Sequence, residues 1–190
     1  DVVSVGAQDL VVVGDVDAET DWSCALTDVD CVIHLVARTH VIDETASDPI
    51  DQYRKVNVEG TRNLARQAAR NGVRRFVYVS SVKAAGERTV GKALNETNSP
   101  WPEDAYGISK LEAEQALINE LEATCVEWVV VRPPLVFGPG VKANLLSLSK
   151  AVLRGVPLPL KSIENRRSLV GLTNLAYFLV HCVSHPDAKN

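Results

Sequence analysis

The stretch Arg75–Ser81, RFVYVSS, decides the fold. Its four central positions are apolar, aromatic or β-branched, and it ends in two hydroxyls. A run apolar on both faces and this short is a buried strand covered by helices on either side. Working outward, the same signature recurs in LVVVG (Leu10–Gly14), CVIHLVA (Cys31–Ala37) and EWVVVRP (Glu127–Pro133). Longer helical patterns separate these runs. Residues 49–71 carry Tyr53, Val56, Leu64, Ala65 and Ala68 on one face and stop at Asn71-Gly72, a helix C-terminal signal. Residues 104–122 carry Leu111, Ala113, Leu117 and Leu121; further helices are predicted over 142–154 and 173–185. Strand–helix alternation of this kind predicts an α/β fold, a doubly wound parallel sheet with right-handed crossovers. From Gly138 onward the rhythm is lost, which predicts the start of a separate lobe.

In such sheets ligands bind beyond the carboxyl ends of the strands. Asp15 follows the first run, Ala37 to Thr39 the second, Ser80-Ser81 the third and Pro133-Pro134 the fourth. Small or polar residues at four strand tips in register point to one ligand lying across them.

The helix at 104–122 opens with Tyr106 and Lys110, one turn apart and therefore on one face. A lysine cation beside a phenol lowers the cost of the phenolate, so the pair can act as a proton-transfer couple. Tyr-x-x-x-Lys alone is common by chance and gains meaning only from its surroundings.

Bulk properties exclude several classes. The chain has 190 residues, enough for one substantial core, and a net charge of -4 that gives no reason to expect a nucleic-acid or membrane partner. No apolar run is long enough to span a bilayer. The cysteines Cys24, Cys31, Cys125 and Cys182 have no paired spacing and are expected as buried free thiols, consistent with a cytoplasmic location. No metal site is expected from the scattered histidines. The chain starts without Met and ends just after an apolar helix, so it is expected to be part of a longer polypeptide.

VDCVIHLVA, NVEGTRNLARQA, RFVYVSS, YGISK and VRPPLVFGPG occur in that order and together resemble an extended short-chain dehydrogenase/reductase of the NAD-dependent nucleotide-sugar epimerase/dehydratase family. The resemblance runs from about Val11 to the C-terminus. VKAN, GVPLPL and NRRSLV are similar to segments of UDP-sugar 4-epimerases and of 4-keto-sugar reductases of surface-polysaccharide synthesis. It implies a Rossmann-like sheet lacking the N-terminal glycine-rich turn. Residues 1–137 are then a partial dinucleotide-binding domain, and 138–190 a partial substrate-binding lobe with a returning helix.

The implied roles follow position by position. Tyr106 is the general acid/base on a sugar hydroxyl. Lys110 favours its phenolate and holds the nicotinamide ribose. Ser81 binds the reacting oxygen, with neighbouring Ser80 as the alternative. Asn57 anchors backbone near the site. Asp15 and Val16 lie by the adenine, Leu35, Val36 and Ala37 line the cofactor groove, and Pro133 meets the carboxamide. Asn144, Leu145 and Arg167, or else Arg166, contact the sugar nucleotide, and Lys83 is within reach of it.

The implied cofactor is NAD, with NADP not set apart from it, because neither the glycine turn nor the second strand is present. The implied reaction is 4-epimerisation of a UDP-sugar by hydride transfer at C4. The alternatives are a UDP-4-keto-sugar reductase and a non-catalytic dinucleotide-binding protein. Family dehydratases place an Asp-Glu pair just after the catalytic Ser/Thr, where this chain has Val82 and Lys83, which argues against a 4,6-dehydratase. A homodimer through the helices at 49–71 and 104–122 is implied by analogy alone.

Overall fold

The computed structural model describes residues 10–39, 49–89, 93–141, 143–157 and 166–189. Strands β1 (Cys31–His34), β2 (Arg75–Val79) and β3 (Glu127–Val131) form a parallel sheet in the order β1-β2-β3. The register pairs Ile33 with Val77 and Val77 with Val129. Between β1 and β2 lie α1 (Pro49–Tyr53), a π-helical stretch (Arg54–Glu59) and α2 (Gly60–Arg70). Between β2 and β3 lie α3 (Val82–Ala85) and α4 (Ala105–Leu121).

Alternation along β2 sorts the core into two layers. Phe76 and Tyr78 face one way, into a cluster with Leu64, Ala65 and Ala68 of α2 and Ala113, Leu117 and Leu121 of α4. Val77 faces the other way, against Val131 of β3 and Leu179 and Cys182 of α6 (Leu172–Ser184). Helices thus cover both faces, as the apolar strand runs require, and each fully buried Leu or Phe contributes about 1.5–3 kcal/mol.

The ends of these elements have identifiable causes. After α2, Gly72 turns at φ +75 and Val73 N–H reaches back to the Ala68 carbonyl at 3.1 Å, closing the helix. Asp104 caps α4, its Oδ1 accepting from Gly107 N–H at 2.7 Å. Arg75, almost fully buried, pairs with Glu127 and donates to the carbonyls of Cys182 and His185, so it closes the C-terminal end of α6.

A second, two-stranded parallel sheet pairs β4 (Leu135–Phe137) with β5 (Leu169–Gly171), with α5 (Ala143–Leu153) between them. These two short strands were not expected from the sequence. The helix expected from 142 is described from Ala143.

Three expectations are corrected. Leu10–Gly14 forms no strand: Leu10 and Val12 are 86% and 85% exposed, and no described strand lies alongside to complete a hydrogen-bond ladder. The run from Cys31 is strand only to His34, so Leu35 to Ala37 form a loop at its tip. Only two of the strand tips in register with this one remain, those of β2 and β3. The thiols are free, but Cys24 and Cys125 are exposed and Cys31 half-buried; Cys182 alone is fully buried. An apolar run next to a cysteine fixes the run's burial and not that of a residue in the flanking turn.

Candidate active site

The site forms where β2 ends. Residues 76, 78 and 80 share one face of the strand and residues 77, 79 and 81 the other. Ser80 therefore points inward and its Oγ donates to Glu114 Oε1 at 2.5 Å, while Ser81 opens toward α4. The Ser81 hydroxyl lies close enough to the Tyr106 phenol to lower its pKa. It also accepts from Lys83 N–H at 3.2 Å, capping α3, so the capping role and the contact with the tyrosine coexist. Gly107 permits this closeness: a Cβ there would lie 2.6 Å from the Lys83 carbonyl oxygen.

Burial raises the pKa of Tyr106, and the Ser81 hydroxyl works against that rise. Asp104 pushes it further up, and the cation that acts downward on it is Lys83. Lys83 itself pairs with Asp104 and, at 3.3 Å, with Glu87. The Tyr53 ring meets that of Tyr106 edge-on, with centroids 6.3 Å apart.

Lys110 is 1% exposed. Its Nζ donates to the Val79 carbonyl at 2.9 Å and lies over the Tyr78 ring. Burial lowers its pKa to about 8, against a smaller raising effect of Glu114. An ammonium has three donors, and one bond is described here. A deeply placed cation of this kind, beside the strand tip, fits the hydroxyls of a ribose.

Asn57 is fully buried at the centre of the π-helical stretch, a local distortion common at functional sites. Its Oδ1 accepts from Arg38 N–H at 2.8 Å, and its Nδ2 donates to the Arg38 carbonyl at 3.2 Å and to Ser109 Oγ at 2.9 Å. Ser109 Oγ donates in turn to the Tyr106 carbonyl at 2.8 Å. One side chain therefore ties the loop after β1 to the first turn of α4.

Leu35 and Val36 are largely exposed and line a groove of about 310 Å³ with Trp22, Leu26, Val32 and Leu64. Pro133 joins the site through its carbonyl, which accepts from Val82 N–H at 3.0 Å. Asp15 is exposed, and its carbonyl accepts from the Thr20 hydroxyl at 2.7 Å. Val16 packs on Gly60, where a Cβ would meet Val16 Cγ1 at 2.8 Å. Arg166 and Arg167 are both exposed just ahead of β5, and Leu145 is half-buried on α5. The side chain of Asn144, in the first turn of α5, falls outside the described residues.

The structure thus brings together Ser81, Tyr106, Lys110, Asn57 and Pro133, and sets Leu145 and Arg167 on separate elements. The sequence reading missed Asp104, Glu114 and Arg132. It also missed that His181 and His185 lie one turn apart, with ring centroids at 5.6 Å; no group of three metal-ligating side chains occurs among the described residues.

A parallel sheet wound on both faces, with ligand-facing groups at its carboxyl edge, defines a Rossmann-like α/β protein. Residues 4–190 match the family model described as the NAD dependent epimerase/dehydratase family, and the chain belongs to that family of enzymes. Among curated proteins it is 46% identical over 180 residues to the UDP-glucose 4-epimerase of Vibrio cholerae, covering 94% of this chain and 55% of that protein. It is 29% identical over 169 residues to an N-acetyl-alpha-D-glucosaminyl-diphospho-ditrans,octacis-undecaprenol 4-epimerase of Escherichia coli O157:H7, covering 88% and 49%. The chain spans about half the length of these relatives.

Among solved structures, MoeE5 in complex with UDP-glucose and NAD superposes with a TM-score of 0.75 at 24% identity, over 93% of this chain and 59% of that one. This likeness concerns the fold. UDP-glucuronic acid 4-epimerase from Bacillus cereus in complex with NAD gives 0.65 at 26% identity, over 77% and 46%.

Proposed function

We infer that the protein carrying this chain is a UDP-sugar 4-epimerase that uses a tightly held NAD, and that it acts on UDP-glucose or a close relative. The observation that carries this reading is the placement of Ser81 where it acts on the Tyr106 phenol and lowers its pKa, with the buried Lys110 ammonium one helical turn along at the end of β2. The 46% identity to a UDP-glucose 4-epimerase favours this substrate over the 4-keto sugars of a reductase.

The chain's own residues divide the work. Tyr106 takes the proton from the sugar C4 hydroxyl and returns it. An ordinary phenol, with a pKa near 10, is a poor base at neutral pH, and burial worsens this here. Ser81 offsets part of that cost and orients the reacting oxygen. Lys110 donates to ribose hydroxyls with the donors that Val79 leaves. Leu35 to Ala37 and Pro133 form the wall for the dinucleotide, with Asp15 and Val16 toward its adenine end. Nicotinamide, when bound, supplies the hydride acceptor and donor. Asn144, Leu145, Lys83 and Arg167 are assigned to the sugar nucleotide, Arg167 because a guanidinium fork suits a diphosphate.

The test is Tyr106→Phe in the complete protein, followed by the interconversion of UDP-glucose and UDP-galactose. Loss of a positioned acid/base lowers turnover by about 10²–10⁴-fold. Turnover within a few-fold of the unaltered protein would remove the proton-transfer role.

A further inference from the structure

Behind the site lies a buried ionic cluster to which the reading above gives no part. The Glu114 carboxylate is 2% exposed. Its Oε1 accepts from Ser80 Oγ at 2.5 Å and from Arg132 Nε at 2.9 Å, and its Oε2 accepts from an Arg132 Nη at 2.5 Å. Three elements meet on this one side chain: the tip of β2, the tip of β3 and the body of α4.

Each member of the cluster is a near neighbour in sequence of a site residue. Ser80 precedes Ser81, Arg132 precedes Pro133, and Glu114 lies one turn beyond Lys110 on α4. The two strand tips are further laced by Ser80 N–H to the Val131 carbonyl at 2.7 Å and Val82 N–H to the Pro133 carbonyl at 3.0 Å. Strand alternation explains the placement. Ser80 continues the face of Phe76 and Tyr78, and Arg132 continues that of Trp128 and Val130, so both reach α4 while their successors are left to the site.

We propose that Glu114 is the positioning residue of this site, holding Ser81 and Pro133 in place against Tyr106 and supplying the negative charge that acts on the Lys110 ammonium. A bidentate pair with arginine fixes direction as well as distance, and a third bond from Ser80 leaves the carboxylate little freedom to turn. A buried ion pair by itself is weak evidence of anything beyond packing. Here the pair has a third partner and a second buried cation one turn away.

The groups facing Lys110 from each packed element are few. They are Glu114 on its own helix, Tyr78 from β2 and His34 from β1, with Arg132 of the β3 tip behind Glu114. Burial and the Lys110 charge hold His34 at a pKa of about 3, so it is neutral. Glu114 is the carboxylate of the set, and its effect on Lys110 is to raise a pKa that burial has brought to about 8.

The inference rests on the epimerase reading for its consequence but not for its test. In the complete protein, with ¹³C in the ε-carbon of lysine and the ζ-carbon of tyrosine, the resonances of Lys110 and Tyr106 are followed by NMR against pH. Glu114→Gln keeps the shape and removes the charge, and Glu114→Asp keeps the charge. The Lys110 midpoint falls by about one pH unit in the Gln variant, a tenfold change in its ionisation constant, and stays within a few tenths in the Asp variant. The alkaline limb of turnover moves with it. A midpoint unmoved in Glu114→Gln, or moved equally in both variants, overturns the proposal.

If Glu114→Gln does not fold, Ser80→Ala decides. It frees the β2 tip, moves Ser81 away from the phenol and raises the Tyr106 midpoint; an unmoved Tyr106 midpoint overturns the proposal. None of these midpoints requires turnover. A protein that does not interconvert UDP-glucose and UDP-galactose therefore contradicts the proposed reaction and leaves the role of Glu114 to be read separately.

Discussion

The Lys110 ammonium lies 4.2 Å from the centroid of the Tyr78 ring and donates to the carbonyl of the next residue, Val79, at 2.9 Å. The aromatic face and the carbonyl both favour a cation, yet neither replaces water, and burial lowers the pKa of Lys110 from 10.5 to about 8. Between those two values the unfolded chain holds a proton that the folded one has released, so raising the pH favours the folded state. Below pH 8 both states are protonated and the folded state bears the full cost. Compared with Lys110→Met, the unaltered protein gains about 3 kcal/mol of relative stability from pH 8 to 10.5. Urea unfolding of both proteins across that window measures it; parallel curves would show that the lysine is not held charged against a penalty.

His34 answers to acid in the corresponding way. It is 3% exposed, stacks on Tyr78 at 5.5 Å and shares a hydrogen bond with the Thr61 hydroxyl at 2.9 Å. Burial and the Lys110 charge lower its pKa from 6.5 to about 3. As pH falls through this window the unfolded chain takes up a proton that the folded chain refuses, and stability is lost. From pH 6.5 to 4.5 the loss amounts to about 2 kcal/mol. His34→Gln, which can still bond Thr61, should unfold with a shallower dependence on acid over this range. Equal slopes in urea titrations would contradict the assignment.

Much of this architecture is written in the local pattern. The apolar runs at Cys31, Arg75 and Glu127 give the parallel sheet, and Asn71-Gly72 gives the end of α2. The run at Leu10 has the same composition and forms no strand, because a strand needs a neighbour as well as a propensity. The π-helical stretch around Asn57 leaves no mark on apolar periodicity, since a single wider turn shifts the helical face by too little. Ser80 and Ser81 cannot be ranked by counting residues to a motif, whereas extending the alternation of Phe76 and Tyr78 by one step sends Ser80 inward. Glu114 and Arg132 escaped notice because charged residues usually mark a solvated face. The arginine directly after three valines, at a strand tip, was the available signal.

Asn57 makes a prediction about coupling between two elements. Asn57→Ala removes the side-chain bonds to the Arg38 N–H, the Arg38 carbonyl and Ser109 Oγ in a buried place. Losing three hydrogen bonds of one buried side chain is expected to cost about 2–3 kcal/mol. Hydrogen exchange of the Arg38 amide should quicken by more than that of amides in β2, because the loop after β1 is released first. Uniform quickening would point to global loosening instead.

Gly107 separates steric closeness from backbone freedom. Its helical backbone suits any residue, but a Cβ would stand 2.6 Å from the Lys83 carbonyl oxygen, and backbone cannot swing aside as a flexible side chain can. Gly107→Ala must therefore push the start of α4 away from α3, and with it Tyr106 away from Ser81. Overpacking of this kind costs about 1–3 kcal/mol, and displacing a reacting group by an ångström lowers turnover by about a hundredfold. Gly72→Ala is the control. There φ is +75 with open space around the position, so the cost of about 1–2 kcal/mol is purely conformational. The two variants should lose similar stability in urea, while Gly107→Ala alone raises the phenol midpoint, because it alone moves Tyr106 from the Ser81 hydroxyl that holds that midpoint down. Matching phenol midpoints in the two variants would mean that the α3–α4 contact does not set the distance between Tyr106 and Ser81.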